Sequence, residues 1–131
     1  LLAALFEIAQ ASRCRAGTML FHEGQLGDGF YVVTAGRVNF TITSGANARG
    51  TGRQKLVGWV EKGSCLGLSE LIADRPHTVN AVTALKTSVV FFPKNAVRSL
   101  LHHYPELWMR ISLWLCADMQ RAYLHKAAML R

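Results

Sequence analysis

Phe30-Tyr31-Val32-Val33-Thr34-Ala35-Gly36-Arg37-Val38-Asn39-Phe40-Thr41-Ile42-Thr43 decides the fold class of this chain. Phe30 to Val33 is a β-branched and aromatic run that reads as a strand. Ala35-Gly36 is a tight turn. Beyond it Val38, Phe40 and Ile42 alternate with polar residues, the pattern of a strand buried on one face. The unit is an antiparallel hairpin, and its neighbours repeat the theme. Thr18 to Phe21 and Lys55 to Val60 read as strands, and Val79 to Phe92 fits two more, with Lys86-Thr87-Ser88 as a turn or an edge. Short strands parted by turns at this spacing predict an antiparallel barrel or jelly roll.

Around the strands the periodicity changes. Leu1 to Ala11 suits a short amphipathic helix, followed by a turn at Arg13 to Gly17. Ser44 to Arg53 holds three glycines among small polar residues and predicts an exposed loop. A phosphate cradle is a weak reading of it, because no Gly-Lys-Ser/Thr ending follows. Pro93 suits a first helical turn, and Lys94 to His103 predicts a helix with Val97, Leu100 and Leu101 on one side. Tyr104-Pro105 breaks it. Glu106 to Arg131 contains neither Gly nor Pro, and a helix of that length reaches about 39 Å. Leu107, Ile111, Trp114 and Leu115 form one apolar stripe on it, and Met109, Leu113, Cys116 and Gln120 another. One stripe can cover the β domain, and the other calls for a second chain. Burial within a longer single chain is the alternative.

The 131 residues suffice for one domain with a core, and half of them are apolar. No apolar run reaches the ~18 residues of a membrane span, and no secretory leader is recognisable, so no membrane partner is expected. Three widely spaced cysteines fit a reducing, cytoplasmic setting rather than a disulfide framework. The net charge is +7, but the 15 Lys and Arg are scattered, which reads as a solvated surface more readily than a nucleic-acid interface. The absence of Met at the start suggests a fragment.

The segment Gly63-Ser64-Cys65-Leu66-Gly67-Leu68-Ser69-Glu70-Leu71-Ile72, continuing to Arg75-Pro76-His77-Thr78, is the candidate site. Gly67 permits close backbone approach by a ligand, and Leu68 to Ala73 predicts a helix of one or two turns whose free N–H groups suit an anion. A plain turn between strands is the alternative.

In order and spacing, Leu20-Phe21-His22-Glu23-Gly24, Phe30-Tyr31-Val32-Val33 with Gly36 and Val38, Gly63 with Leu66-Gly67, Arg75-Pro76, and Tyr104-Pro105-Glu106-Leu107 resemble the cyclic-nucleotide-binding domain of the Crp/Fnr family of bacterial transcription regulators. The resemblance covers nearly the whole chain. It implies a mainly β fold: an antiparallel β-roll or jelly roll (double-stranded β-helix) over about 12–92, short flanking helices, a helix over 94–103 and a long dimerisation helix over about 105–130. All of it would be one domain, 1–131. It implies an allosteric, non-enzymatic sensor that forms a homodimer and reaches DNA only through a helix-turn-helix domain absent here. The implied ligand is a cyclic nucleotide or other small anionic effector. The residues implied for it are Leu66, Gly67, Leu68, Ser69, Glu70, Leu71, His77, Thr78, Ala122 and Tyr123. Those implied for pairing are Leu107, Ile111, Trp114, Leu115, Asp118, Ala122 and Met129.

Departures from the pattern argue against ordinary cAMP binding. The family's cAMP binders place a Glu after the glycine, and this chain has Leu68. Glu70 lies about 200° further round a helix. The family's phosphate-pairing Arg falls on His77 when Pro76 is the anchor, and on Thr78 when Val82-Thr83-Ala84 is. The adenine contacts fall near Ala122-Tyr123. Losing a charge-assisted phosphate bond and a ribose bond costs on the order of 10²- to 10⁴-fold in affinity. A domain used only for pairing is the second reading. No metal site is expected: the cysteines do not make a cluster set, no His-x-His motif supports a cupin centre, and no nucleophile–base set is recognisable. Cys65 reads as a packed thiol or a redox sensor.

Overall fold

The computed structural model describes residues 2–44, 52–114, 116, 117 and 120. Two four-stranded sheets face each other as a jelly roll, flanked by helices. The elements are α1 (Leu2–Ile8), β1 (Gln10–Cys14), β2 (Met19–Phe21), β3 (Gly29–Ala35), β4 (Arg37–Ser44), β5 (Arg53–Glu61), β6 (Cys65–Leu66), α2 (Leu68–Ala73), β7 (Asn80–Thr83), β8 (Thr87–Pro93) and α3 (Lys94–His103). A further helix, α4, covers 107–114 and is helical again at 116, 117 and 120. One sheet has the order β1-β8-β3-β6 and the other β2-β7-β4-β5. Every pairing is antiparallel.

The alternation read in the hairpin sets the core. Val33 and Val38 face Phe21, Leu66, Ala81 and Val89 between the sheets. Gly36 joins β3 to β4 at φ +96°, where a side chain would meet Thr87. A second cluster lies at the helical end. There Phe30 of β3 packs with Leu5, Leu68, Leu71, Val97, Leu101, Leu107 and Ile111. Both α2 leucines belong to it, so the small helix is seated against α3 and α4 as well as the sheet.

Two strands are additions to the sequence reading. Gln10–Cys14 lies in what reads as a helix end and turn, yet it pairs with β8 from Gln10↔Phe91 to Cys14↔Thr87. It is exposed at all but Cys14, so its backbone bonds, not its side chains, hold it in the sheet. Cys65–Leu66 is too short to carry a period and pairs with Tyr31 and Val32 of β3. The Ser44–Arg53 loop proves partly strand: Ser44 ends β4 opposite Arg53 of β5. Its residues 45–51 lie outside the described residues.

The pairing stripe needs correction. Leu107 and Ile111, expected to face a second copy, are 0 % and 1 % exposed in this single chain. Trp114 packs on the same cluster. The stripe turned outward is the other one: Met109 and Leu113 are 71 % and 61 % exposed, and Cys116 and Gln120 are also exposed. The reason is the apolar seat formed by Phe30 and the α2 leucines, which the stripe beginning at Leu107 fills. Leu115, Asp118, Ala122 and Met129 lie outside the described residues.

Leu107→Ala should therefore cost about 2–5 kcal/mol of unfolding free energy in urea, as a buried truncation does. Met109→Ala should stay within about 0.5 kcal/mol in the dilute monomer. The reverse order of effects would mean that α4 sits rotated from this placement.

Candidate functional site

β6 delivers the chain to Gly67, which stands at φ +79° as the N-cap of α2. The helix has no side-chain cap at this end. Its first turn carries Glu70, whose Oε2 accepts from the Ser69 hydroxyl at 3.1 Å. At its other end Asp74 takes a left-handed conformation and accepts from Lys94 Nζ at 2.9 Å and from Arg98 at 3.4 Å. Those cations of α3 hold its carboxyl below the usual range, through the Lys94 hydrogen bond above all.

Leu68 directly follows Gly67, where the resemblance implies a ribose-binding acid. It is 2 % exposed and lies in the helical-end cluster with Leu71. Glu70, two residues on, is half-buried and does not replace it. Ser69 is exposed, and Leu66 is part of the core between the sheets.

The two residues onto which the resemblance places the phosphate-pairing position differ in burial. Thr78 is exposed. His77 is 4 % exposed, and its ring stacks on Phe21 with centroids 3.7 Å apart and planes 12° from parallel. A Cβ on Gly67 would lie 3.1 Å from His77 Cε1, so the imidazole fills the space directly against the glycine. Backbone bonds fix the residue: its N–H donates to Gln25 O at 2.9 Å, and its carbonyl accepts from Gly24 N–H at 2.7 Å. The pleat bridge Leu26↔Pro76 aligns the same two segments. His77 is thus a loop residue turned inward.

Burial pushes the His77 imidazole below its ordinary 6.5, against the smaller opposing pull of Glu70 and Asp28. Nδ1 is buried with no hydrogen-bond partner among the described residues. A neutral ring stacked on a phenyl is consistent with that environment and offers no positive charge to a phosphate. The cavity beside the ring, lined by Phe21, Gln25, Asp28, Tyr31 and His77 among others, holds about 20 Å³. That is room for roughly one water, against about 300–1,000 Å³ for small-molecule sites. Neither Gly67 nor any residue of α2 lines that cavity. Ala122 and Tyr123 lie outside the described residues.

Two residues near the seat escape sequence reasoning. Phe21 reads only as a strand residue, yet it is the platform under His77. Asn80 is a buried hub: its Oδ1 accepts from Glu23 N–H at 2.8 Å, and its Nδ2 donates to Gln54 Oε1 at 3.0 Å. Both contacts join segments far apart in the chain, and nothing local announces them. Cys65 is half-buried and packs at the edge of the helical-end cluster. No group of three metal-ligating side chains converges among the described residues.

Residues 12–104 match the model of the cyclic nucleotide-binding domain. The chain belongs to that family. The cyclic nucleotide-binding domain here is 26 % identical over 96 residues to the human patatin-like phospholipase domain-containing protein 6. The match takes in 73 % of this chain but 7 % of that protein. Among solved structures, the Thermus thermophilus catabolite activator protein superposes with a TM-score of 0.71 at 20 % identity. It covers 97 % of this chain and 57 % of its own. A cyclic nucleotide-binding-like protein from Brucella abortus reaches 28 % identity at a TM-score of 0.65, over 77 % of this chain and 82 % of that one. The jelly roll is thus that of the family.

A lowered histidine pKa has a stated sign. Above pH 6.5 His77 is neutral in folded and unfolded chains alike and adds no pH dependence. As the pH falls below 6.5 the unfolded chain gains a proton that the folded site resists, so stability drops until the lowered folded pKa is passed. His77→Phe keeps a ring on Phe21 and removes the proton site. Urea unfolding from about pH 7.5 to about pH 5 should show a shallower acid loss in the variant than in the parent. Equal slopes would mean that His77 is not buried in its neutral form.

Proposed function

We propose that this domain is the regulatory and pairing module of a larger protein, with the phosphate seat of its fold occupied by its own side chains. Ordinary cAMP is then not its ligand. The observation that carries this reading is the His77 ring, stacked on Phe21 and set against Gly67 where a phosphate would stand. Leu68 adds to it, because a carboxylate in that place would lie within an apolar cluster.

The module would work through helix packing. Leu68 and Leu71 bind α2 to the residues that seat α3 and α4, and Asp74 ties the end of α2 to Lys94 and Arg98. A shift of α2 would change the energy of the α4 position, the elementary form of allosteric coupling. The outward stripe of Met109, Leu113, Cys116 and Gln120 would receive the same stripe of a second copy about a two-fold axis. The likeness to a catabolite activator protein supports a DNA-binding output domain outside this chain. Effector sensing at the Gly67 seat is the second reading. Family membership favours it, with an effector smaller or less charged than cAMP.

Titration calorimetry of the purified domain against cAMP, up to millimolar concentration, should give no saturable heat. A micromolar dissociation constant would show that the seat opens and that His77 is displaced. For pairing, sedimentation equilibrium should find a dimer that Leu113→Glu converts to monomer, since two buried carboxylates would face each other across the axis. A monomeric parent protein would end the pairing proposal.

A further inference from the structure

A second cavity, far larger than the one beside His77, opens where three helices meet. It measures about 460 Å³ and lies between α2, α3 and the start of α4. Leu71, Val97 and Leu101 form its floor, and all three are buried. Ile72 and Trp108 form its walls, and both are partly exposed, at 37 % and 47 %. Arg98 and His102 stand on its rim, one helical turn apart on the same face of α3. The volume falls in the range of small-molecule sites, and the lining mixes apolar with polar surface, the side-chain cationic and imidazole groups being those of Arg98 and His102.

Charge identifies the occupant. Asp74 is the acid that pairs with Arg98, at a long 3.4 Å, and it already holds Lys94 at 2.9 Å. One carboxylate is therefore shared by two cations, and the Arg98 guanidinium keeps donors to spare. A guanidinium at the rim of an apolar cleft matches a carboxylate in fork geometry, and the imidazole of His102 adds a donor on the same side. The apolar floor then takes the tail.

We propose that the cleft between α2, α3 and α4 is a binding site for a small amphiphilic carboxylate of the medium-chain fatty-acid class. Arg98 and His102 hold the head, and Leu71, Leu101 and Trp108 hold the chain. Such a ligand touches all three helices at once. It would fix the packing of α2 against α4 without entering the Gly67 seat. The proposal stands independently of what becomes of His77.

The test is a ¹H–¹⁵N NMR titration of the domain with sodium decanoate, with decan-1-ol as a probe of equal chain and no charge. Saturable shifts should centre on Leu71, Ile72, Leu101 and the Trp108 indole N–H. Decanol should bind about tenfold more weakly or worse, and Arg98→Gln should weaken decanoate by a similar factor. Arg98 is half exposed and Lys94 still holds Asp74, so this variant keeps the fold. An absence of shifts at the cleft at several millimolar decanoate would overturn the site. Equal binding of decanol, or an unchanged constant in Arg98→Gln, would overturn the carboxylate assignment.

Discussion

The burial of Leu68 and Leu71 is the constraint on which the rest of the molecule depends. Two leucines of a six-residue helix insert among Phe30 from the sheet and Val97, Leu101, Leu107 and Ile111 from the helices. A helix this short has little stability of its own and is held by its contacts. Each large apolar side chain removed from water contributes roughly 1.5–3 kcal/mol, so two of them hold α2 firmly against both layers. The same burial uses the inner face of α4 and leaves Met109 and Leu113 outside.

The seat at Gly67 follows from that anchoring. With Leu68 committed to the apolar cluster, the position cannot present an acid to a sugar. With His77 stacked on Phe21, the opposing position presents no permanent cation. Both positions are taken up by packing, Leu68 in the helical-end cluster and His77 against Phe21. The small helix has a position shared between the β-roll and two helices. The larger cleft sits on that shared region, beside Asp74, Lys94 and Arg98.

Much of this was legible in the sequence. The hairpin of β3 and β4, the limits of α2 and of α3, and the break at Tyr104-Pro105 follow from local patterns and turn chemistry. Leu68 and His77 were legible as departures at named positions, because a substituted residue type is visible without coordinates. β1 was not legible, because an edge strand held by backbone bonds needs no apolar alternation. β6 was not, because two residues have no period. The Phe21–His77 stack was not, because strand and loop are distant in the chain.

The sequence by itself determined the family and the jelly-roll class, because these reside in residue identity, order and spacing. Only the tertiary structure decided that His77 rather than Thr78 faces Gly67, and which stripe of α4 turns outward. Two stripes of similar apolarity are equivalent until a neighbouring surface selects one. Phe30 and the α2 leucines made that choice for Leu107 and Ile111, and the same packing brought Arg98 and His102 to the rim of the cleft.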